Sequence, residues 1–172
     1  MEYRKCIPSP LGPLTLSSDG EALTGLWFAD QLYFGSTLSS AAVPAEFPLF
    51  RKTERWLEQY FAGKCPDFCP PLAPQGTAFR KEVWELLLQI PYGETRTYGE
   101  LARILADRHG LSRMSAQAVG GAVGHNPIGI LIPCHRVVGT GGSLTGYAGG
   151  LEKKQQLLTL EGLDMSRFFL PH

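Results

Sequence analysis

Residues 65–76, CPDFCPPLAPQG, hold four prolines and a glycine in twelve positions. Proline fixes φ and has no N–H, so this stretch cannot continue a helix or lie inside a sheet. It is the one place where regular structure must stop for long. The 172-residue chain is therefore expected to divide into a domain over 1–76, closed by this linker, and a second over 77–172.

The two parts carry different periodicities. GPLTLSS and ALTGLWFA are short β-rich runs broken by Gly and Asp, and predict neighbouring strands. Residues 49–61 place Leu49, Thr53, Trp56 and Tyr60 on one helical face, with Phe50, Leu57 and Phe61 beside it and Gly63 ending the helix. The first part is thus a small α/β domain. Beyond residue 76 the pattern is helical: 77–90 with Thr77 as N-cap, 98–110, 112–126 and 151–162. The middle pair, joined by a few residues around Gly110, predicts a helix-turn-helix.

The second helix of that pair is built from Ala116, Ala118, Gly120, Gly121, Ala122 and Gly124. Glycine inside a helix costs roughly 1 kcal/mol per residue, so so many small residues need a reason. Two stand open: tight packing of helix on helix, or a face thin enough to enter a nucleic-acid groove. Composition does not choose between them. The formal net charge is zero. Residues 1–76 carry six Lys and Arg against eight Asp and Glu, and the remainder carries ten against eight. Any DNA contact must rest on local geometry rather than bulk charge.

No apolar run reaches the length of a membrane span, and the N-terminus lacks a signal-peptide apolar segment. The expected setting is the cytoplasm, where Cys6, Cys65, Cys69 and Cys134 stay reduced. Cys65 and Cys69 have C-x3-C spacing, but tetrahedral zinc needs four ligands and only Cys6 is an obvious third, so no metal or other cofactor is assigned.

The reactive residues sit in NPIGILIPCHRVVGTGG, residues 126–142. Cys134, His135 and Arg136 interrupt an apolar run, where an unpaired charge is expensive. A neighbouring imidazole activates a thiol, but adjacent side chains of an extended chain point to opposite faces. The pair cooperates only through a bend or a bridging water. Glu161, before the glycine that ends the last helix, is either a solvated carboxylate or the orienting member of a carboxylate–imidazole–thiol relay. Arg136 most simply pairs with a buried carboxylate. Asn126 before Pro127 starts a turn, and its amide is placed to hold the cysteine segment.

FRKEVWELLLQIPYGETRTYGELA, AVGGAVGHNP, ILIPCHRVV and GYAGGLEKKQQLLTLEG occur in that order over residues 77–163. In that order they resemble the DNA-binding and catalytic domain of the O6-alkylguanine-DNA alkyltransferases. Residues 1–75 resemble the family only in layout. The resemblance implies a ribonuclease-H-like α/β first domain and a mainly α, winged helix-turn-helix-like second domain. It implies irreversible transfer of an alkyl group from O6-alkylguanine, and from O4-alkylthymine, to Cys134 in one turnover.

In that scheme His135 acts as base through a water, Glu161 orients it and Asn126 holds the turn. Tyr98 crowds the 3′ phosphate of the target. Tyr147 and the amide of Ala148 contact the flipped base, whose amine meets the carbonyls of Cys134 and Val137. Helix 113–124 enters the minor groove of the duplex, with Arg113, Gln117, Ala118, Gly121 and Thr97 at the DNA. No membrane and no obligate protein partner are expected. Unstacking is easiest for a mispaired, alkylated base, which favours the lesion.

One position departs from the family pattern: Gln117 stands where an arginine normally inserts into the base stack. Two other classes compete. A non-catalytic sensor of alkylated DNA has no need of the acceptor cysteine, and a cysteine hydrolase using Cys134, His135 and Glu161 requires an oxyanion hole and no DNA.

Overall fold

The computed structural model describes residues 1–170, and they fall into two compact units. Met1–Gly76 with Pro127–Leu131 form one, and Thr77–Asn126 with the chain from Ile132 onward form the other. The 127–131 stretch, expected in the second part, is held in the first by backbone bonds to a strand. The Leu26 N–H donates to the Pro127 carbonyl at 2.8 Å, and the Gly129 N–H donates to the Leu26 carbonyl at 3.0 Å.

The first unit is built on a sheet ordered β3-β2-β1-β4, with β1 Tyr3–Ile7, β2 Leu14–Ser18, β3 Leu23–Phe28 and β4 Val43–Pro44. β2 runs antiparallel to both β1 and β3, and β4 joins β1 in parallel. β2 and β3 are the two strands expected from the sequence, whereas β1, whose YRKCI run has no clean apolar alternation, and the two-residue β4 were not expected. Every residue of β3 is buried. Gly25 is required there, because a Cβ would lie 2.1 Å from the Trp27 ring.

Helix α1, Pro48–Phe61, opens on a proline whose fixed φ suits a first turn. It buries Phe50, Thr53, Trp56, Leu57 and Tyr60. Thr53, Trp56 and Tyr60 of the expected face are thus buried together with the flanking Phe50 and Leu57, while Leu49 stays partly exposed. Burying each such large side chain contributes about 1.5–3 kcal/mol, more than any local propensity in the helix. Gly63, at φ 82, ends the helix as expected. The Pro-rich segment forms no helix, but it is pinned to the sheet. Leu23 donates to the Pro71 carbonyl and accepts from the Ala73 N–H, both at 2.8 Å.

The second unit contains α2 Ala78–Leu88, β5 Arg96–Thr97, α3 Tyr98–Arg108, α4 Ala116–Gly124, β6 Val137–Val138 and α5 Leu151–Leu160. Thr77 caps α2 by accepting from the Arg80 N–H at 3.2 Å. α2 buries Val83, Trp84, Leu86 and Leu87, and the Trp84 indole donates to the Ala122 carbonyl of α4 at 2.8 Å. α3 and α4 pack on each other as the helix-turn-helix pair. α4 starts later than expected: Ser115 is its N-cap and accepts from the Ala118 N–H, leaving Arg113 outside the helix. β5 and β6 pair in parallel, Arg96 with Val137 and Thr97 with Val138, and so bring the entry to α3 beside the cysteine segment.

Candidate active site

Cys134, His135 and Arg136 form a single 3₁₀ turn between Pro133 and β6. The turn is the bend that an adjacent cysteine and histidine need to act together. Three backbone bonds tie it: Cys134 N–H donates to the Ile132 carbonyl at 2.8 Å, Arg136 N–H to the Pro133 carbonyl at 3.0 Å, and Val137 N–H to the Cys134 carbonyl. Asn126, the residue before the 127–131 excursion, donates its amide to the same Ile132 carbonyl at 2.8 Å. Ile130 has φ 68, a conformation costly for a β-branched residue, so local strain is stored four residues before the thiol.

Glu161 is the C-cap residue of α5, followed by Gly162 at φ 86. Its carboxylate is buried and accepts from four donors. His135 Nε2 lies 2.6 Å from one oxygen, and Arg136 engages both oxygens at 2.8 and 3.2 Å. The Gly93 N–H adds a fourth bond at 2.9 Å. Arg136 also donates to the Ile90 carbonyl at 2.7 Å and lies over the Tyr92 ring. The expected pairing of Arg136 with a buried carboxylate is thus met by Glu161 itself. Burial alone raises the Glu161 carboxyl, but the bonds and charges of His135 and Arg136 outweigh it and hold it at about 2.

His135 is 0% exposed. Burial pushes its imidazole below the ordinary value, against the upward pull of Glu161, so the ring is neutral at pH 7 and able to take a proton. Cys134 is 6% exposed. Burial raises its thiol, and the Asn126 hydrogen bond and the charge of Lys154 pull the other way. A thiol in that state needs a base.

Tyr98, the first residue of α3, turns its hydroxyl inward. It donates to the Thr145 carbonyl at 3.0 Å and the Gly146 carbonyl at 3.3 Å, and burial pushes it to about 12. Thr97 is committed to a capping box: its hydroxyl accepts from the Glu100 N–H, and the Glu100 carboxylate accepts from the Thr97 N–H. Burial drives the Tyr147 hydroxyl well above its usual value. Ala148 lies in the same turn, which the Gly150 N–H closes on the Tyr147 carbonyl at 2.9 Å.

α4 separates the two readings of its small residues. A Cβ on Gly120 would lie 3.8 Å from the Tyr98 ring, and the Ala122 carbonyl accepts from Trp84, which is packing. Ala118 and Gly121 are exposed, and a Cβ on Gly121 would meet nothing within 4 Å. Gln117 lies on that open face, and Arg113 is exposed ahead of it. The sequence reading missed Lys154, Ile90 and Gly93. Only Lys154 had a signal, since 154, 157, 158 and 161 recur at helical spacing and put a lysine on the apolar stripe.

Small sheet domain, helical domain, buried thiol and carboxylate-held imidazole together define a DNA alkyltransferase architecture. Residues 78–163 match the DNA-binding domain of 6-O-methylguanine DNA methyltransferase, and residues 3–74 match its ribonuclease-like domain. The chain belongs to the 6-O-methylguanine DNA methyltransferase family. It is 46% identical over 160 residues to a methylated-DNA–protein-cysteine methyltransferase of Methanosarcina acetivorans, covering 93% of this chain and 98% of that one. A protein of the same name from Haemophilus influenzae is 44% identical, covering 92% and 86%. The O6-methylguanine methyltransferase of Mycobacterium tuberculosis superimposes with a TM-score of 0.79 at 46% identity, covering 94% and 93%. A Mycobacterium tuberculosis relative solved in complex with DNA aligns with a TM-score of 0.79 at 45% identity, covering 96% and 94%.

Proposed function

We propose that this protein repairs DNA by moving the alkyl group of O6-alkylguanine onto Cys134, which makes it a methylated-DNA–protein-cysteine S-methyltransferase. The observation that carries the reading is the bond from His135 Nε2 to the buried Glu161 carboxylate, in the same turn as the thiol. With Nε2 held by the carboxylate, Nδ1 is the nitrogen that serves Cys134 through a water. His135 takes the thiol proton, and Glu161 stabilises the imidazolium that results. The sulfur attacks the alkyl carbon, the S–C bond forms and the C–O6 bond breaks. The electron pair stays on guanine, which takes up a proton at N1 from water as the His135 imidazolium gives its proton back to water. An S-alkyl thioether offers water no activated leaving group, so each molecule acts once.

The open face of α4, with Gln117, Ala118 and Gly121, docks in the minor groove, with Arg113 beside it. Tyr98 and Thr97 stand at the start of α3 where the target strand passes. The lesion leaves the stack to reach Cys134, and Tyr147, Ala148 and Val137 line its seat. O4-alkylthymine, with the same O-alkyl carbon, is the second substrate. The protein requires no cofactor and works in the reducing cytoplasm.

Intact-protein mass spectrometry after mixing with excess O6-methylguanine duplex tests this. One methyl group per protein is expected, and none in Cys134→Ala. Repeated turnover would refute the self-sacrificing mechanism, and turnover of a simple ester without DNA would favour a hydrolase.

A further inference from the structure

Near Cys134 lies a cation that the alkyl-transfer scheme leaves unused. Lys154, in the first turn of α5, is 0% exposed. Its ammonium donates to the carbonyls of Val137, Thr145 and Gly146 at 2.5, 3.1 and 3.1 Å, and lies 5.9 Å from the centre of the Tyr98 ring. Those bonds use all three N–H groups. Neutral carbonyls satisfy the donors without cancelling the charge, and a buried charge without a counter-charge is costly. Among the described residues no carboxylate pairs with Lys154.

The ionisable groups around the pocket are few. Among the described residues they include Tyr92 against Arg136, Tyr98 of α3, Cys134, His135 and Arg136 of the 3₁₀ turn, Tyr147 of the following loop, and Glu161 at the end of α5. The Glu161 charge is cancelled by Arg136. His135 is neutral at rest, and Tyr98 and Tyr147 are held in the protonated form. Lys154 therefore leaves the pocket one positive charge in excess. Within this set Cys134 is the group whose ionisation creates a new anion: its proton passes to His135, whose imidazolium is met by Glu161, and the thiolate is left facing Lys154.

We propose that Lys154 is the counter-cation of the Cys134 thiolate, a positioning residue that stabilises the sulfur anion and ties β6 to the 145–146 loop. The proposal rests on Cys134 being the alkyl acceptor. Burial lowers the Lys154 ammonium to about 8 while the Cys134 charge pulls it back up, so the lysine still carries its charge at neutral pH. Lys154 also donates to the carbonyl of Val137, one of the groups assigned to the base, so it braces the seat from behind.

The test is alkylation of Cys134 by iodoacetamide without DNA, with the Cys134 peptide quantified by mass spectrometry across a pH series. The unmodified chain is compared with Lys154→Met, which keeps size and loses charge, and Lys154→Arg, which keeps charge. In Lys154→Met the midpoint is expected to rise by about one pH unit or more, which lowers the neutral-pH rate about tenfold. Lys154→Arg should hold the midpoint near that of the parent. An unmoved midpoint in Lys154→Met overturns the proposal, as does an arginine variant that shifts as far as the methionine one. A purely structural lysine would slow alkylation at every pH without moving the midpoint. Because the probe contains no guanine, failure of methyl transfer from DNA alongside the expected shift would refute the repair reading and leave the role of Lys154 standing.

Should Lys154→Met fail to fold, ¹³C-lysine NMR of the parent and Cys134→Ala provides the reciprocal measurement. Losing the thiolate should lower the Lys154 midpoint. An identical midpoint in both proteins rejects the pairing.

Discussion

Asn126 donates its side-chain amide to the Ile132 carbonyl at 2.8 Å, closing the chain on itself two residues before Cys134. The same carbonyl accepts the Cys134 N–H, so one acceptor links the end of α4 to the reactive turn. Asn126→Ala removes a buried bond and should destabilise the protein by about 1–3 kcal/mol. It also removes a bond that lowers the Cys134 thiol, so the single-turnover rate at neutral pH should fall further than the unfolded fraction explains. Denaturant titration beside rapid-quench transfer separates the two effects. A rate loss fully accounted for by stability would show that Asn126 only builds the turn.

Glu161 sets the acid limit of stability. Its carboxyl sits at about 2 in the folded protein against an ordinary 4.5, so the folded state binds its proton more weakly than the unfolded state does. The stabilisation, on the order of 3 kcal/mol, is complete above pH 4.5 and is lost as pH falls toward 2. Glu161→Gln should be less stable at pH 7 by about 3–5 kcal/mol, because it strands the buried Arg136 charge. Its denaturation profile should lack this part of the acid limb. Parallel stability–pH curves for the two proteins would contradict the assignment.

Gly121 faces open space on α4. Gly121→Ala should therefore stabilise the helix by about 1 kcal/mol, as read from the thermal midpoint. On the proposed groove-facing surface the same methyl group should weaken duplex binding. Tighter or unchanged binding would mean that this face does not meet the groove closely.

Gln117 lies on the same exposed face and supplies no charge. Gln117→Arg should raise duplex affinity and steepen the salt dependence by about one unit in log K against log salt. It should also speed transfer from duplex DNA. If affinity, salt slope and rate all stay put, residue 117 is not at the DNA.

Much of this was legible in the chain because the controlling forces are local. The prolines of 65–76 interrupt regular structure wherever they lie, and the caps at Thr77 and Thr97 act within three residues. The apolar stripes of α1 and α2 announce their helices: Thr53, Trp56 and Tyr60 are buried as expected, and only at the start of α1 is Phe50 buried while Leu49 stays partly exposed. β1 was silent because its stability comes from pairing with β2 and β4 rather than from its own pattern.

The site divides the same way. Spacing alone left Cys134, His135 and Glu161 open, the ordered motifs that resemble the family marked them, and local spacing set the register of α5. Whether Glu161 was solvated or part of a relay was a question of distance, and only the tertiary structure brought it to 2.6 Å from His135 and within reach of Arg136 and Gly93. Lys154 shows the limit most plainly. A lysine on an apolar stripe has no preferred fate in sequence, because the energy of a buried charge depends on every charge around it. Folding decided that fate by surrounding the ammonium with three carbonyls and leaving Cys134 to balance it.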